Sequence, residues 1–379
     1  MANPGSLNTP SNPAPSGDSG AGVATVVPFV RASGEAREQG NVDTNKQITA
    51  SDQNFGTFDL PANGYLSGLM ILVEATGGTG AGATGTEDAP WNALKNVSIQ
   101  EPAGATIPFF NSGYDLMIAN KFGGYWFAND PRQSRVFSAI TATGGNFTFI
   151  LRIPLALNVR EALGALPNQD AASTFKFKAD LAKSTDIYAT PPATTLPSVR
   201  LRAWCEEWEQ PEEATANVPN QTTPPGMNTT QFWTSVPYQV TAGVNKTRLT
   251  RMGNYVRNFI FILRRAGTSR ANGEADWPTQ TTLWFDKRPK DIVDVNVWRH
   301  QVYERYGYFG TADTAGAPEN GVYPYDFAHD FNGKVGQENR DLWLETIGSS
   351  RVEVEGSYAN AGTLTVLFND VSVAGNIFL

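Results

Sequence analysis

The chain has 379 residues, 29 basic and 37 acidic side chains, a net charge of −8 and a pI near 5.0; at about 150 residues per domain the length suggests two or three domains, and each half is long enough to bury a core. One cysteine, Cys205, and two histidines, His300 and His329, exclude a disulfide framework, a cysteine-rich zinc site and a multi-histidine metal centre. The acidic balance argues against a general nucleic-acid binder, whose affinity comes from neutralising phosphates.

In chain order, residues 1–22 are dominated by Asn, Pro, Ser, Gly and Ala. Such a segment cannot bury enough apolar surface to fold alone, so a disordered arm is expected. It is nearly uncharged, unlike a basic genome-binding tail. Met1 to Ser19 lacks the basic start and apolar run of a secretion signal, and no apolar run anywhere approaches the ~20 residues of a membrane-spanning helix.

Strands are expected from about residue 47. Tyr65–Ala75 is apolar on both alternating faces from Leu69 to Val73, which predicts an internal strand packed on both sides. Gly77–Gly85 breaks structure. It lacks the lysine and following helix of a phosphate-binding loop, so it reads as a long exposed loop. Another strand is expected over Leu94–Gln100, and a short helix over Gly113–Lys121. Phe147, Phe149, Leu151 and Ile153 share one face of the next strand. Phe175, Phe177, Ala179 and Leu181 alternate with Lys176, Lys178 and Asp180. Val199, Leu201, Ala203 and Cys205 alternate with Arg200, Arg202 and Trp204. One buried and one polar face is the antiparallel sandwich pattern.

Residues 209–228 mix Pro, Gly and acids and read as a linker. The same grammar then restarts. Tyr255–Arg265 is a second strand with an apolar centre and, like Tyr65–Ala75, is followed by a Gly-containing loop, here 266–275. Asp294–Tyr306 predicts a helix with Asp294 as cap and Trp298, Val302 and Tyr306 at spacing four. Its start competes with the strand-like alternation of Val293, Val295 and Val297. Alternating strands close the chain at Val352–Glu355 and Leu364–Phe368. Two similar all-β domains in tandem follow from this repetition of pattern.

Candidate chemistry is thin. Trp204, Glu206 and Trp208, at spacing two, resemble a sugar-stacking platform with a carboxylate between two indoles; an outer sheet face covered by a neighbour explains the same residues. Glu206, Glu207, Glu209, Glu212 and Glu213 invite a two-carboxylate glycosidase reading, but that chemistry needs carboxyls converging from different strands, and solvated charge beside a linker is the expectation. Asp326, His329 and Asp330 could hold a metal or an acid/base pair. With no second histidine near in sequence, His329 is expected on a loop surface and His300 on the helix's polar side, beside Arg299. No Gly-x-Ser-x-Gly elbow is present. Glycosylation triplets begin at Asn96, Asn146, Asn220, Asn228 and Asn245, a number expected by chance in an Asn/Thr-rich chain. No catalytic, cofactor-binding or metal-binding residue is assigned.

The order of Phe147-Thr-Phe-Ile-Leu-Arg-Ile-Pro-Leu-Ala156, Leu163-Gly-Ala-Leu-Pro-Asn168 and Phe175-Lys-Phe-Lys178 in the first half resembles the major capsid protein of tectivirus-type, internal-membrane bacteriophages. So does that of Asn254–Phe261, the basic helix after Trp298 and Gly321–Phe327 in the second. The likeness spans about residues 45–379. The N-terminus departs from it, being Pro/Gly/Ser-rich rather than helical.

The resemblance implies an all-β chain of two tandem eight-stranded jelly rolls with a few short helices and long loops. Its divisions are an arm over 1–44, a first roll over 45–210, a linker over 211–228 and a second roll over 229–379. It further implies a non-enzymatic homotrimer, made in the host cytoplasm. Such trimers tile an icosahedral virion shell over an internal lipid membrane, beside minor capsid, vertex or membrane proteins and without direct nucleic-acid contact. The competing readings are a carbohydrate-binding or carbohydrate-cleaving β-sandwich built on Trp204, Glu206 and Trp208, and a bacterial surface or adhesion protein.

Overall fold

The computed structural model describes residues 29, 33–126, 138–158, 162–210, 229–265, 270, 275–306, 318–349 and 351–373. The expected arm over 1–22, the 211–228 linker and most of loop 266–275 lie outside the described residues.

The first half contributes strands β1 (Glu35–Gln47), β2 (Gln53–Asp59), β3 (Gly64–Thr76), β4 (Thr84–Gly85), β5 (Leu94–Gln100) and β6 (Thr106–Ser112). Helix α1 (Gly113–Phe122) follows, then β7 (Phe147–Pro154), β8 (Leu166–Asn168), β9 (Lys176–Leu181), the single turn α2 (Ser184–Ile187), β10 (Tyr188–Thr190) and β11 (Ser198–Glu209). The second half contributes β12 (Thr229–Val240), β13 (Gly243–Leu249), β14 (Tyr255–Arg265), β15 (Gln280–Phe285), β16 (Arg288–Asp294), helix α3 (Val295–Tyr306), β17 (Val322–Asp326), β18 (Leu344–Glu345), β19 (Val352–Tyr358) and β20 (Gly362–Val373).

The strands pair into two rolls of one plan. In the first, the sheet β1-β11-β3-β7 lies over β2-β9-β5-β6; in the second, β12-β20-β14-β17 lies over β13-β19-β15-β16. Each roll therefore has eight principal strands, and the expected duplication is present. The two rolls are joined through a sheet: β6 pairs in parallel with β12 at Pro108↔Trp233 and Phe109↔Thr234, so β2-β9-β5-β6 and β12-β20-β14-β17 form one continuous surface.

Alternation positions the cores as expected in the first roll. Phe147, Phe149, Leu151 and Ile153 on β7 are buried in one cluster with Phe175 and with Phe177 and Leu181 of the opposite sheet. In the second roll Phe259, Phe261 and Leu263 are buried with Leu364, Val366 and Phe368, but the two sets do not face each other across the roll. They are direct cross-strand partners in the same sheet, Phe259↔Phe368, Phe261↔Val366 and Leu263↔Leu364. Leu249, Leu283, Val293, Val352 and Val354 of the other sheet complete that core. Period two says which residues share a face, not which strand lies opposite.

Three further expectations need correction. Strand structure begins at Glu35, not near 47: β1 is an edge strand whose segment is mostly polar, so the apolar alternation that marks other strands is missing. β3 is central in its sheet, yet only its inner face is fully buried; Met70 and Leu72 on the outer face are half-buried. Arg299 is not on a solvated helix face but buried, donating to the Tyr323 hydroxyl at 2.8 Å. The competition at residues 293–297 is decided in sequence order: Val293 belongs to β16, and Asp294, the last residue of that strand, caps α3, its carboxylate accepting the Asn296 N–H at 2.9 Å. Loop 77–85 is largely exposed. Gly78 lies so close to the carbonyl of Gly144 that a Cβ would come within 1.9 Å, which only glycine avoids.

Candidate functional site

Among the described residues, none of the acidic or aromatic candidates assembles into a reactive site. Trp208 is buried and meets the ring of Phe29 edge-on at 6.3 Å, in a small cluster with Tyr65, Ala162 and Ala165. Glu206 is buried and held between Arg37, at 3.0 Å, and Arg152, at 2.6 Å. Neither residue is presented to a sugar ring, leaving Trp204 half-buried on the outer face. The glutamate run is not simple solvated charge: Glu206 and Glu207 are buried and Glu209 is exposed. Glu212 and Glu213 lie outside the described residues.

Asp326, His329 and Asp330 differ in burial and partners. Asp326 is buried and accepts from the Tyr306 hydroxyl at 2.6 Å, with Arg305 3.6 Å away. Burial raises its carboxyl above the usual range against these partners. His329 and Asp330 are exposed, and Asp330 accepts the backbone N–H of Asn339 at 2.9 Å. His300 is likewise exposed on α3.

The most elaborate polar constellation lies instead between the rolls, around α1. All ten residues of this helix are buried, because both rolls pack on it. Ser112 caps it, accepting the Asp115 N–H at 3.2 Å. Its polar side chains each meet a partner. The Asn120 amide exchanges two hydrogen bonds with the Arg152 backbone of β7, at 2.6 and 2.8 Å. Asp115 accepts from Ser235 of β12 at 2.7 Å, with Arg264 of β14 3.8 Å away. Burial pushes the Asp115 carboxyl up while the Arg264 guanidinium pulls it down. Lys121 pairs with Glu319, and the Tyr114 hydroxyl donates to the Pro318 carbonyl at 2.5 Å.

Arginines of the second roll complete this junction. Arg264 and Arg270 converge on Asp88 at 2.9 and 2.7 Å, and Arg270 also donates to the Glu87 and Asn320 carbonyls. Arg257, fully buried, binds Glu338 at 2.5 Å and the Gly123 carbonyl at 2.9 Å. Removing either member of such a pair strands an uncompensated charge, so these contacts fix how one roll sits on the other. Sequence reading missed this site. Its only local trace is the basic run Arg264-Arg265 at the end of an apolar strand, which also suits an exposed strand end.

Chemically, the arrangement locks two sandwiches edge to edge and leaves broad outer sheet faces. On the first roll, Trp204, Met70, Leu72 and Ile150 are half-buried neighbours across β11, β3 and β7. Ion pairs Arg202–Glu74, Arg200–Asp43 and Arg152–Glu206 surround them. An apolar centre with a charged rim is the anatomy of a protein–protein contact.

No family model matches this chain, and no curated protein matches it by sequence. Solved structures match it by fold. The major capsid protein P2 of bacteriophage PM2 is 11% identical, with a TM-score of 0.53 over 91% of this chain and 99% of that one. The STIV major capsid protein is 13% identical, with a TM-score of 0.61 over 90% and 97%. PBCV-1 VP54 is 8% identical, with a TM-score of 0.59 over 90% and 95%. Two like eight-stranded rolls joined edge to edge, superposing over nine-tenths of these molecules, give this chain the double jelly-roll fold of viral major capsid proteins.

Proposed function

We propose that this protein is a non-enzymatic structural subunit, the major capsid protein of an icosahedral virus. The observation that carries the reading is the pair of equivalent rolls locked by the buried α1 junction, in a fold otherwise found here in capsid proteins. Three copies supply six similar sandwiches, a pseudo-hexagonal tile suited to a closed shell. A symmetric assembly also covers the half-buried apolar face at Trp204 and Met70. In this reading the trimers cover an internal lipid membrane and meet minor capsid, vertex or membrane proteins. With a net charge of −8, the subunit leaves the genome to other components.

Light scattering on the purified chain tests the reading directly. A trimer of 41.0 kDa subunits, stable across salt and burying ~2,000 Å² or more per contact as obligate interfaces do, is the expected result. Electron microscopy of assembled material should show closed shells. A monomer persisting at micromolar concentration overturns the proposal.

A further inference from the structure

One ion pair of the junction differs in kind from its neighbours. Arg257–Glu338 and the pairs of Arg264 and Arg270 with Asp88 are made by arginine, which stays protonated and cannot act as a nucleophile. Lys121 of α1 instead meets Glu319, in the segment before β17, and the two side chains are only 7% and 11% exposed. Oε1 of Glu319 takes the contact with Lys121; its Oε2 is buried and accepts no hydrogen bond among the described residues.

Both partners are held through their chain neighbours. Tyr114 and Lys121, seven residues apart, lie on one side of α1, and Tyr114 donates to the carbonyl of Pro318, the residue before Glu319, at 2.5 Å. Arg270 donates to the carbonyl of Asn320, the residue after it, at 3.0 Å. On the helix, the Asn120 amide donates to the Arg152 carbonyl at 2.6 Å, and the Phe122 carbonyl accepts the Tyr306 hydroxyl at 2.9 Å. Amine and carboxyl are thus kept within reach of each other, the condition under which two fixed groups gain most in reactivity. Burial pushes the Lys121 ammonium down to about 7, so the neutral amine is well populated near neutral pH.

We propose that Lys121 Nζ and the Glu319 carboxyl condense into an amide, a covalent cross-link between the helix of the first roll and the second roll. One proton passes from the ammonium to the carboxylate, which leaves both groups neutral, the favoured state away from water. The amine nitrogen attacks the carboxyl carbon; a C–N bond forms and the C–OH bond breaks. The hydroxyl leaves with one amine proton as water, so the step needs no co-reactant. The amide carries no charge, and the cost of keeping an ammonium and a carboxylate out of water is removed with it. The cross-link closes the chain between residues 121 and 319 and joins the two rolls whether or not the linker is intact. It is independent of any role in a shell.

Intact mass spectrometry of the denatured full chain tests the cross-link. Wild type should be one water lighter than its sequence mass of 41.0 kDa, and peptide mapping should give a branched peptide that holds both Lys121 and Glu319. Lys121→Met should restore the full mass. A second experiment reads the joint itself. With a protease site placed in the 211–228 linker, the cut wild-type chain should stay one band on a denaturing gel, whereas cut Lys121→Met should separate into two. Wild type at its full sequence mass, with halves that part on the gel, overturns the cross-link and leaves the capsid reading untouched. A water loss mapped to other residues overturns it too. The wild-type mass, map and gel decide by themselves, so the result stands even where Lys121→Met fails to fold.

Discussion

Single side chains carry the stability of each roll. Phe149 and Phe261 are fully buried in separate clusters. Replacing either by alanine removes a ring from a filled core, which costs about 3–5 kcal/mol. Because the two clusters lie in different rolls, the double variant should be additive within about 0.5 kcal/mol. Denaturant midpoints of the two singles and the double check this, and strong coupling would refute separate cores. Thr148→Ala, on the half-buried outer face of β7, should cost far less. His329 is exposed, so His329→Ala should change stability by no more than about 0.5 kcal/mol. Loss of a bound transition metal in that variant would contradict the structural reading.

At the scale of elements, caps and buried ion pairs hold the helices and the inter-roll junction. Asp294→Ala removes the acceptor for the Asn296 N–H and should cost roughly 1 kcal/mol, read as a lower unfolding midpoint. Glu338→Gln is more severe. It leaves the Arg257 guanidinium buried without its counter-charge, a loss of about 3–5 kcal/mol. The same pair makes the junction pH-sensitive. Burial raises the Glu338 carboxyl, but attraction from Arg257 and backbone hydrogen bonds outweigh it, and the carboxyl sits below its ordinary range. A depressed folded value means the unfolded chain takes up the proton first as pH falls. The stabilisation is therefore present above the unfolded value of about 4.3 and is lost as pH drops through the lower folded value. Unfolding midpoints of wild type should fall over that acid window more steeply than those of Glu338→Gln.

The whole molecule is two cores but not two independent domains. Strand β14 buries Phe259, Phe261 and Leu263 in its own roll, while Ile260 and Ile262, with Leu367 and Val371 of β20, are buried in the first roll's cluster. Cutting the chain at the linker uncovers that second face. A fragment of residues 229–379 should therefore be poorly soluble and bind hydrophobic dyes, whereas the full chain stays soluble. A soluble, cooperatively folding fragment would show that the junction is dispensable.

The sequence by itself determined what depends on near neighbours. Alternation put Phe147, Phe149, Leu151 and Ile153 on one face, because successive side chains of a strand point to opposite sides. Spacing four placed Trp298, Val302 and Tyr306 on one side of a helix, and Asp294 marked its start. The repeat of these patterns and the likeness in segment order were enough to give two jelly rolls. Tertiary structure alone decided the rest. Polar β1 becomes a strand because β11 offers it a ladder, and Asp115, Asn120 and Lys121 enter a buried helix because partners from distant segments meet each of them. The same holds for Arg257 and Arg270, basic residues that local sequence assigns to the surface. A polar side chain carries no local sign of burial: its cost is removed only by the partner that folding brings to it.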